Sequence, residues 1–212
     1  FRSRGEKFTV NTLTGASTAP ELDGALAGVD GIGWRMPYQS DPTMRSKIND
    51  GTSYYTDIHL SESGMMVRQG FFGKVDFAVI EATRITEDGK IVPTSSVRNN
   101  SAYCEVADKI IIEVNSWQSL DLEGMHDIYR IQKLPNRTPI PINQPGDRIG
   151  KTYIDIDVNK VVAVVGNSHM EQYMGAVIPV AEEAQPRKIA VSHGTQRTEQ
   201  AEIVEGSSDL GS

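Results

Sequence analysis

The chain has 212 residues, with 21 Lys plus Arg against 28 Asp plus Glu and a formal net charge of −7. That balance offers no general electrostatic hold on nucleic acid or on an anionic membrane surface, and no apolar run approaches the roughly 18 residues that a membrane helix needs. The single cysteine, Cys104, excludes an internal disulfide framework and points to a reducing compartment, so a soluble cytoplasmic protein is expected.

In chain order, residues 8–13 alternate as a strand, residues 14–18 (TGAST) turn, and Pro20 at a first helical position opens a helix over 20–27. Residues 32–36 form a second short strand. Asp41-Pro42 reads as a cap followed by a first-turn proline, which predicts a helix over 43–49 ending at Gly51. Residues 61–70 carry Met65 and Met66 at helical spacing, the pattern of core packing. Phe77, Ala78, Val79 and Ile80 form one short apolar run and Ile110, Ile111 and Ile112 another, each of the length and composition of a strand buried on both faces. Between them lie Thr94, Ser95, Ser96 and a helix over 100–108.

Pro135, Pro139, Pro141 and Pro145 forbid a regular helix over 134–145 and predict an extended surface connection. Ile154, Ile156 and Val158 then alternate with Asp155 and Asp157, and 161–165 is the last strong strand. Beyond Gly166 the periodicity decays. Residues 1–165 therefore read as one α/β domain, with a mostly parallel sheet and flanking helices, and 166–212 as a tail or linker-like segment without a core.

The sequence has no His-Glu-x-x-His helix, cysteine pair at zinc spacing, phosphate-binding P-loop or Gly-x-Gly-x-x-Gly turn, and no metal site is expected. Gly166-Asn167-Ser168-His169-Met170 starts like a nucleophile elbow, but Met170 stands where the second glycine is needed. Cys104 reads as a small core residue, His126-Asp127 as a capping or solvated pair, and Asp155 with Asp157 as a solvated strand face. Three hydroxyl-rich turns remain, at 14–18, 37–41 and 93–96. Each follows a strand-like run, so all three are expected to gather on one sheet edge, where hydroxyls and free backbone N–H groups hold a carbonyl, carboxylate or phosphate oxygen. Taken singly, each is equally well a cap or a turn.

Around these residues the chain resembles the acetyl-CoA hydrolase/transferase family, which includes the succinyl-CoA:acetate CoA-transferases. The resemblance lies in LTGASTAPELDGALA (13–27), WRMPYQSDPTMRSKIN (34–49), VIEATRITEDGKIVPTSSV (79–97), ADKIIIEVNSWQ (107–118) and LEGMHDIY (122–129). It implies the CoA-transferase superfamily α/β fold and the amino-terminal part of a double-domain, homodimeric enzyme. In such an enzyme a glutamate attacks an acyl-CoA, and a carboxylic acid or water accepts the acyl group; the alternative is a family-derived module that binds without catalysis. Coenzyme A is then a substrate and not a resident cofactor. The catalytic glutamate is expected in the carboxy-terminal half, so no catalytic residue is assigned here.

By the same resemblance Ser17 and Ser40 line the pocket for acyl group and carboxylate, Thr94, Ser95 and Ser96 close the cleft, and Arg148 matches a basic position. Arg98 stands where relatives have glycine. A positive φ there would strain a side chain, and the cation is alternatively placed near the CoA phosphates or the acceptor.

Overall fold

A computed structural model describes residues 4–17, 20–167, 187–193 and 196–203. The chain divides into two units within one helix, between Ser63 and Gly64.

In the first unit, β1 (Val10–Leu13), β2 (Ile32–Met36) and β3 (Tyr54–Tyr55) form an all-parallel sheet in that order. Parallel neighbours need crossovers, which α1 (Asp23–Ala27) and α2 (Pro42–Asn49) supply. The predicted start of α2 holds: Asp41 is the N-cap, its carboxylate accepts from the Met44 amide at 2.9 Å, and Pro42 fills the first turn. The predicted helix over 20–27 shortens to Asp23–Ala27, because residues 20–22 turn instead and the Asp23 carboxylate is drawn inward to Arg35. Ala27, Ile32 and Met44 are its small buried apolar cluster.

The second unit is entered through α3 (Leu60–Arg68) and built on β4 (Phe77–Ile85), β5 (Ile91–Pro93), β6 (Lys109–Asn115) and β7 (Val161–Asn167), in the order β5-β4-β6-β7. β4, β6 and β7 run parallel, as expected, with α4 (Asn100–Val106) in the crossover from β4 to β6. β5 is antiparallel to β4 and was not expected. Gly89 makes it possible: with φ +78 it closes a tight return over Thr86–Lys90, where the Lys90 amide bonds to the Thr86 hydroxyl at 3.0 Å.

One face of this sheet carries the core, in which Ala78, Ile80, Ala82, Ile110 and Ile112 pack with Cys104, Ala107, Ile91 and Ile154. The expectation that β4 is buried on both faces fails. Phe77 and Val79, on its other face, are 52% and 62% exposed, and the alternation eluded the sequence reading because both faces of that stretch are apolar.

Residues 134–145 form neither helix nor strand and lie exposed, as their prolines require. The strand expected around Ile154 reduces to a single antiparallel bridge from Ile154 to Ile91, followed by a one-turn 3-10 helix, Val158–Lys160, capped by Asp157. Asp155 pairs with Lys151, so the two aspartates have separate structural partners. Within the stretch predicted to be a tail, β8 (Arg187–His193) and β9 (Gln196–Ile203) pair as an antiparallel two-stranded sheet. Their polar composition gave the sequence reading no apolar periodicity to register.

Candidate functional site

The first unit places the Ser17 and Ser40 turns side by side. Beyond β1 and β2 the ladder continues irregularly: the Thr14 amide donates to Met36 O at 3.1 Å, Ser17 N to Tyr38 O at 3.2 Å and Ser40 N to Ser17 O at 3.1 Å. Ser17 is thereby paired with Gln39 as a parallel bridge partner. Ser17 is 3% exposed and its hydroxyl has no partner among the described residues; the Thr14 hydroxyl and the Gln39 amide oxygen are likewise enclosed and without a partner among them. Buried polar groups are almost always satisfied, so three such atoms in one turn region call for water or another polar group to complete them. Gln39 was not anticipated from the sequence; the pairing with Ser17 that singles it out is a tertiary fact. Thr18, at the end of this turn, is outside the described residues.

Behind the two serines stands Arg35, fully enclosed, with its Nε 2.7 Å and its Nη2 3.0 Å from the two oxygens of Asp23. The remaining guanidinium donors reach Met36 O and Tyr38 O. Tyr55 donates to Pro37 O. The turn between β2 and Ser40 is thus held by its carbonyls.

In the second unit, the Thr94–Ser96 turn leaves β5 and, because β5 runs backwards, meets the middle of β4 and not its carboxyl end. The Thr94 hydroxyl donates to Glu81 Oε2 at 2.7 Å and accepts from Ser96 N at 3.2 Å. Asn115 Nδ2 donates to Glu81 Oε1 at 2.8 Å, while its Oδ1 accepts from Trp117 N at 3.0 Å. Thr94 and Asn115 are fully buried. The Ser95 hydroxyl is enclosed and has no partner among the described residues. His126 Nε2 lies 2.8 Å from Pro93 O and, facing a carbonyl, carries the proton. The three hydroxyl turns therefore do not gather on one sheet edge: two follow strands of the first sheet, and the third follows β5 of the second.

Arg148 donates from Nη2 to Gly124 O at 2.8 Å and to His126 O at 2.6 Å. Nearby, Asp127 accepts from Ile149 N and Gly150 N, so it does not orient its neighbour His126. Gly150 is required here, since a Cβ would lie 2.3 Å from the Ile128 carbonyl carbon. Arg98 has φ +29, a region that favours glycine. Cys104 is 4% exposed, and burial pushes its thiol pKa up to about 12. Ser168, His169 and Met170 of the elbow-like motif lie outside the described residues. Among the described residues no group of three or more His, Cys, Asp or Glu could hold a metal ion, and no helix is long and apolar enough to cross a membrane.

Residues 2–166 match the acetyl-CoA hydrolase/transferase N-terminal domain family. The chain is 45% identical over 160 residues to a succinyl-CoA:acetate CoA-transferase of Clostridium kluyveri, an overlap of 76% of this chain and 30% of the relative. It is 39% identical over 158 residues to a propanoyl-CoA:succinate CoA transferase of Escherichia coli, covering 74% and 32%. It is also 39% identical over 165 residues to an acetyl-CoA hydrolase of Schizosaccharomyces pombe, covering 75% and 32%. A 4-hydroxybutyrate CoA-transferase from Porphyromonas gingivalis is similar in structure at TM-score 0.42 and 18% identity, covering 79% of this chain and 38% of that one. The chain spans about a third of the length of the curated relatives it matches. It belongs to the acetyl-CoA hydrolase/transferase family, and residues 2–166 correspond to that family's N-terminal domain.

Proposed function

We propose that the protein acts in an acyl-CoA:carboxylate CoA-transferase of the acetyl or succinyl type. The family match over residues 2–166 carries this reading, and the enclosed, unpartnered Ser17 hydroxyl supports it from the geometry. In the proposed reaction a glutamate carboxylate attacks the thioester carbonyl and expels CoA thiolate, giving an acyl-glutamyl anhydride. The thiolate then attacks the glutamyl carbonyl, forming a glutamyl-CoA thioester and releasing the first carboxylate; the acceptor carboxylate reverses the sequence. The residues proposed to meet substrate are Ser17 and Ser40 in the first unit and, separately, Thr94, Ser95, Ser96 and Arg148 in the second, with the Ser17 and Ser95 hydroxyls offered to carbonyl or carboxylate oxygens. The attacking glutamate is placed in the carboxy-terminal half; among the described residues Glu81 is already engaged by Thr94 and Asn115, and Glu105 by Arg68, Arg130 and Lys133. Coenzyme A is a substrate, and the working form is a cytoplasmic homodimer completed by a carboxy-terminal half.

Acetyl-CoA hydrolysis is the second reading, because a relative of that activity matches about as well as one of the transferases. The two differ in whether carboxylate or water resolves the intermediate. Incubating the intact protein with acetyl-CoA or succinyl-CoA, with and without acetate or succinate, separates them: a new CoA ester marks transfer, and free CoA without acceptor marks hydrolysis. Neither product would leave a non-catalytic binding module. Borohydride trapping followed by peptide mass spectrometry locates the glutamyl adduct, and finding it between Phe1 and Ser212 would overturn the assignment.

A further inference from the structure

We infer that Ser95 supplies the ligand contact of the Thr94–Ser96 turn and that Glu81 is a positioning residue acting through Thr94. The inference rests on the CoA-ester reading above. Of the three hydroxyls, Thr94's is fully used, donating to Glu81 and accepting from the Ser96 amide. The Ser95 hydroxyl is the enclosed one without a partner among the described residues. A serine hydroxyl placed inside a protein with neither donor nor acceptor beside it is costly unless a guest completes it, so Ser95 is the member of the turn built to meet a carbonyl or carboxylate oxygen.

The clamp that aims it has two arms. Glu81 stands on the face of β4 opposite the core residues Ala78, Ile80 and Ala82, and its carboxylate takes one hydrogen bond from each side, Thr94 and Asn115. Asn115 cannot turn its amide over, because its oxygen already accepts from the Trp117 amide. Glu81 must therefore present acceptors on both oxygens. A glutamine would keep Asn115 on its Oε1 only by turning its N–H toward the Thr94 hydroxyl, so that hydroxyl would accept where it now donates and its own proton would need another partner. On the other side His126 grips Pro93 O, the carbonyl immediately before the turn. The turn is held at Pro93 and Thr94, and Ser95 is the next residue.

The test uses the intact enzyme, acetyl-CoA or succinyl-CoA, and the variants Ser95→Ala, Glu81→Gln, Thr94→Val and Thr94→Ser. Ser95→Ala should lower kcat/KM by roughly 5- to 150-fold with an unchanged melting temperature. Thr94→Val should lower it comparably, whereas Thr94→Ser, which keeps the hydroxyl to Glu81, should restore it; a residue that only filled space would show no such rescue. Glu81→Gln combined with Ser95→Ala should cost no more than the worse single change. If Glu81→Gln does not fold, the pair Thr94→Val and Ser95→Ala gives the same comparison. An active enzyme whose kinetics are unmoved by Ser95→Ala, or losses that multiply in the double variant, would overturn the inference while leaving the function standing. A wild-type protein inert toward acyl-CoA overturns both.

Discussion

Arg35 and Asp23 meet through two parallel hydrogen bonds in a place from which water is wholly excluded, and the same guanidinium holds Tyr38 O, the carbonyl that also receives the Ser17 amide. The pair thus reaches from α1, across β2, to the backbone that presents the Ser17 hydroxyl. Removing one member of an enclosed ion pair strands the other. Asp23→Asn or Arg35→Met should lower the unfolding free energy by about 3 to 5 kcal/mol, measured by urea denaturation. A loss below about 1 kcal/mol would show that the bracket contributes little to holding the turn.

Ser17→Ala removes a hydroxyl that has no partner among the described residues, so stability should hardly change. Turnover in the intact enzyme should nevertheless fall by roughly 5- to 150-fold, the loss expected for one hydrogen bond of about 1 to 3 kcal/mol to the reacting oxygens. Ser40→Ala should behave the same way. Unchanged steady-state kinetics in both variants would sink the pocket assignment.

Arg98 holds φ +29 with a side chain attached. Arg98→Gly should raise the denaturation midpoint, with a gain on the order of 1 kcal/mol from relieved strain. If the cation also meets an anionic substrate, the same variant raises KM for CoA esters or for the acceptor. A lower melting temperature with normal kinetics would contradict both accounts.

Gly150 admits no side chain, since the new atom would fall 2.3 to 2.6 Å from three backbone atoms of Ile128. Gly150→Ala should break the Ile128–Lys151 bridge and release Asp127 and Arg148 from their backbone partners. Thermal unfolding and proteolysis after Lys133 or Arg137 would report the loosening, and a fully wild-type proteolysis pattern would refute it.

Cys104 links stability to alkaline pH. Unfolded, the thiol ionises from about pH 9; folded, burial keeps it protonated until about pH 12. The folded state therefore binds the extra proton in that window, and the stabilisation, complete below pH 9, is lost as pH rises, at about 1.4 kcal/mol per pH unit. Cys104→Ala lacks this loss, so its unfolding free energy should fall less than that of the wild type between pH 9 and 11. Parallel curves would show that the thiol is open to solvent.

How much of this could be read from the sequence depended on the range of the interaction. The Asp41 cap, the parallel strands and the nearness of Ser17 to Ser40 follow from local signals and from the rule that turns succeed strands at one end of a parallel sheet. β5 carries little signal of its own, being three residues long and lying between two stronger apolar runs. Glu81, Asn115 and His126 escaped for a deeper reason: each is defined by a partner between 13 and 34 positions away, and only the register of β4 on β6 and the path of β5 decide that Thr94 lies against Glu81. Arg148 was read as a basic position, whereas its geometry shows two carbonyls as its partners.

The backward run of β5 also sets an order of events. Joining β4 to β5 closes a return of a few residues, whereas β4 with β6 and β6 with β7 must each bring together segments separated by much longer stretches of chain, and loop-closure entropy grows with that separation. The hairpin should be the earliest paired element of the second unit. In pulse-labelled hydrogen exchange during refolding, the amides of Thr86 and Gly89, which bond within the return, should gain protection before those of Ile111 and Ile112; simultaneous protection would refute this. The polar turn that follows β5 is then laid down beside Glu81 before the parallel strands assemble around it, so the site's scaffold precedes its walls.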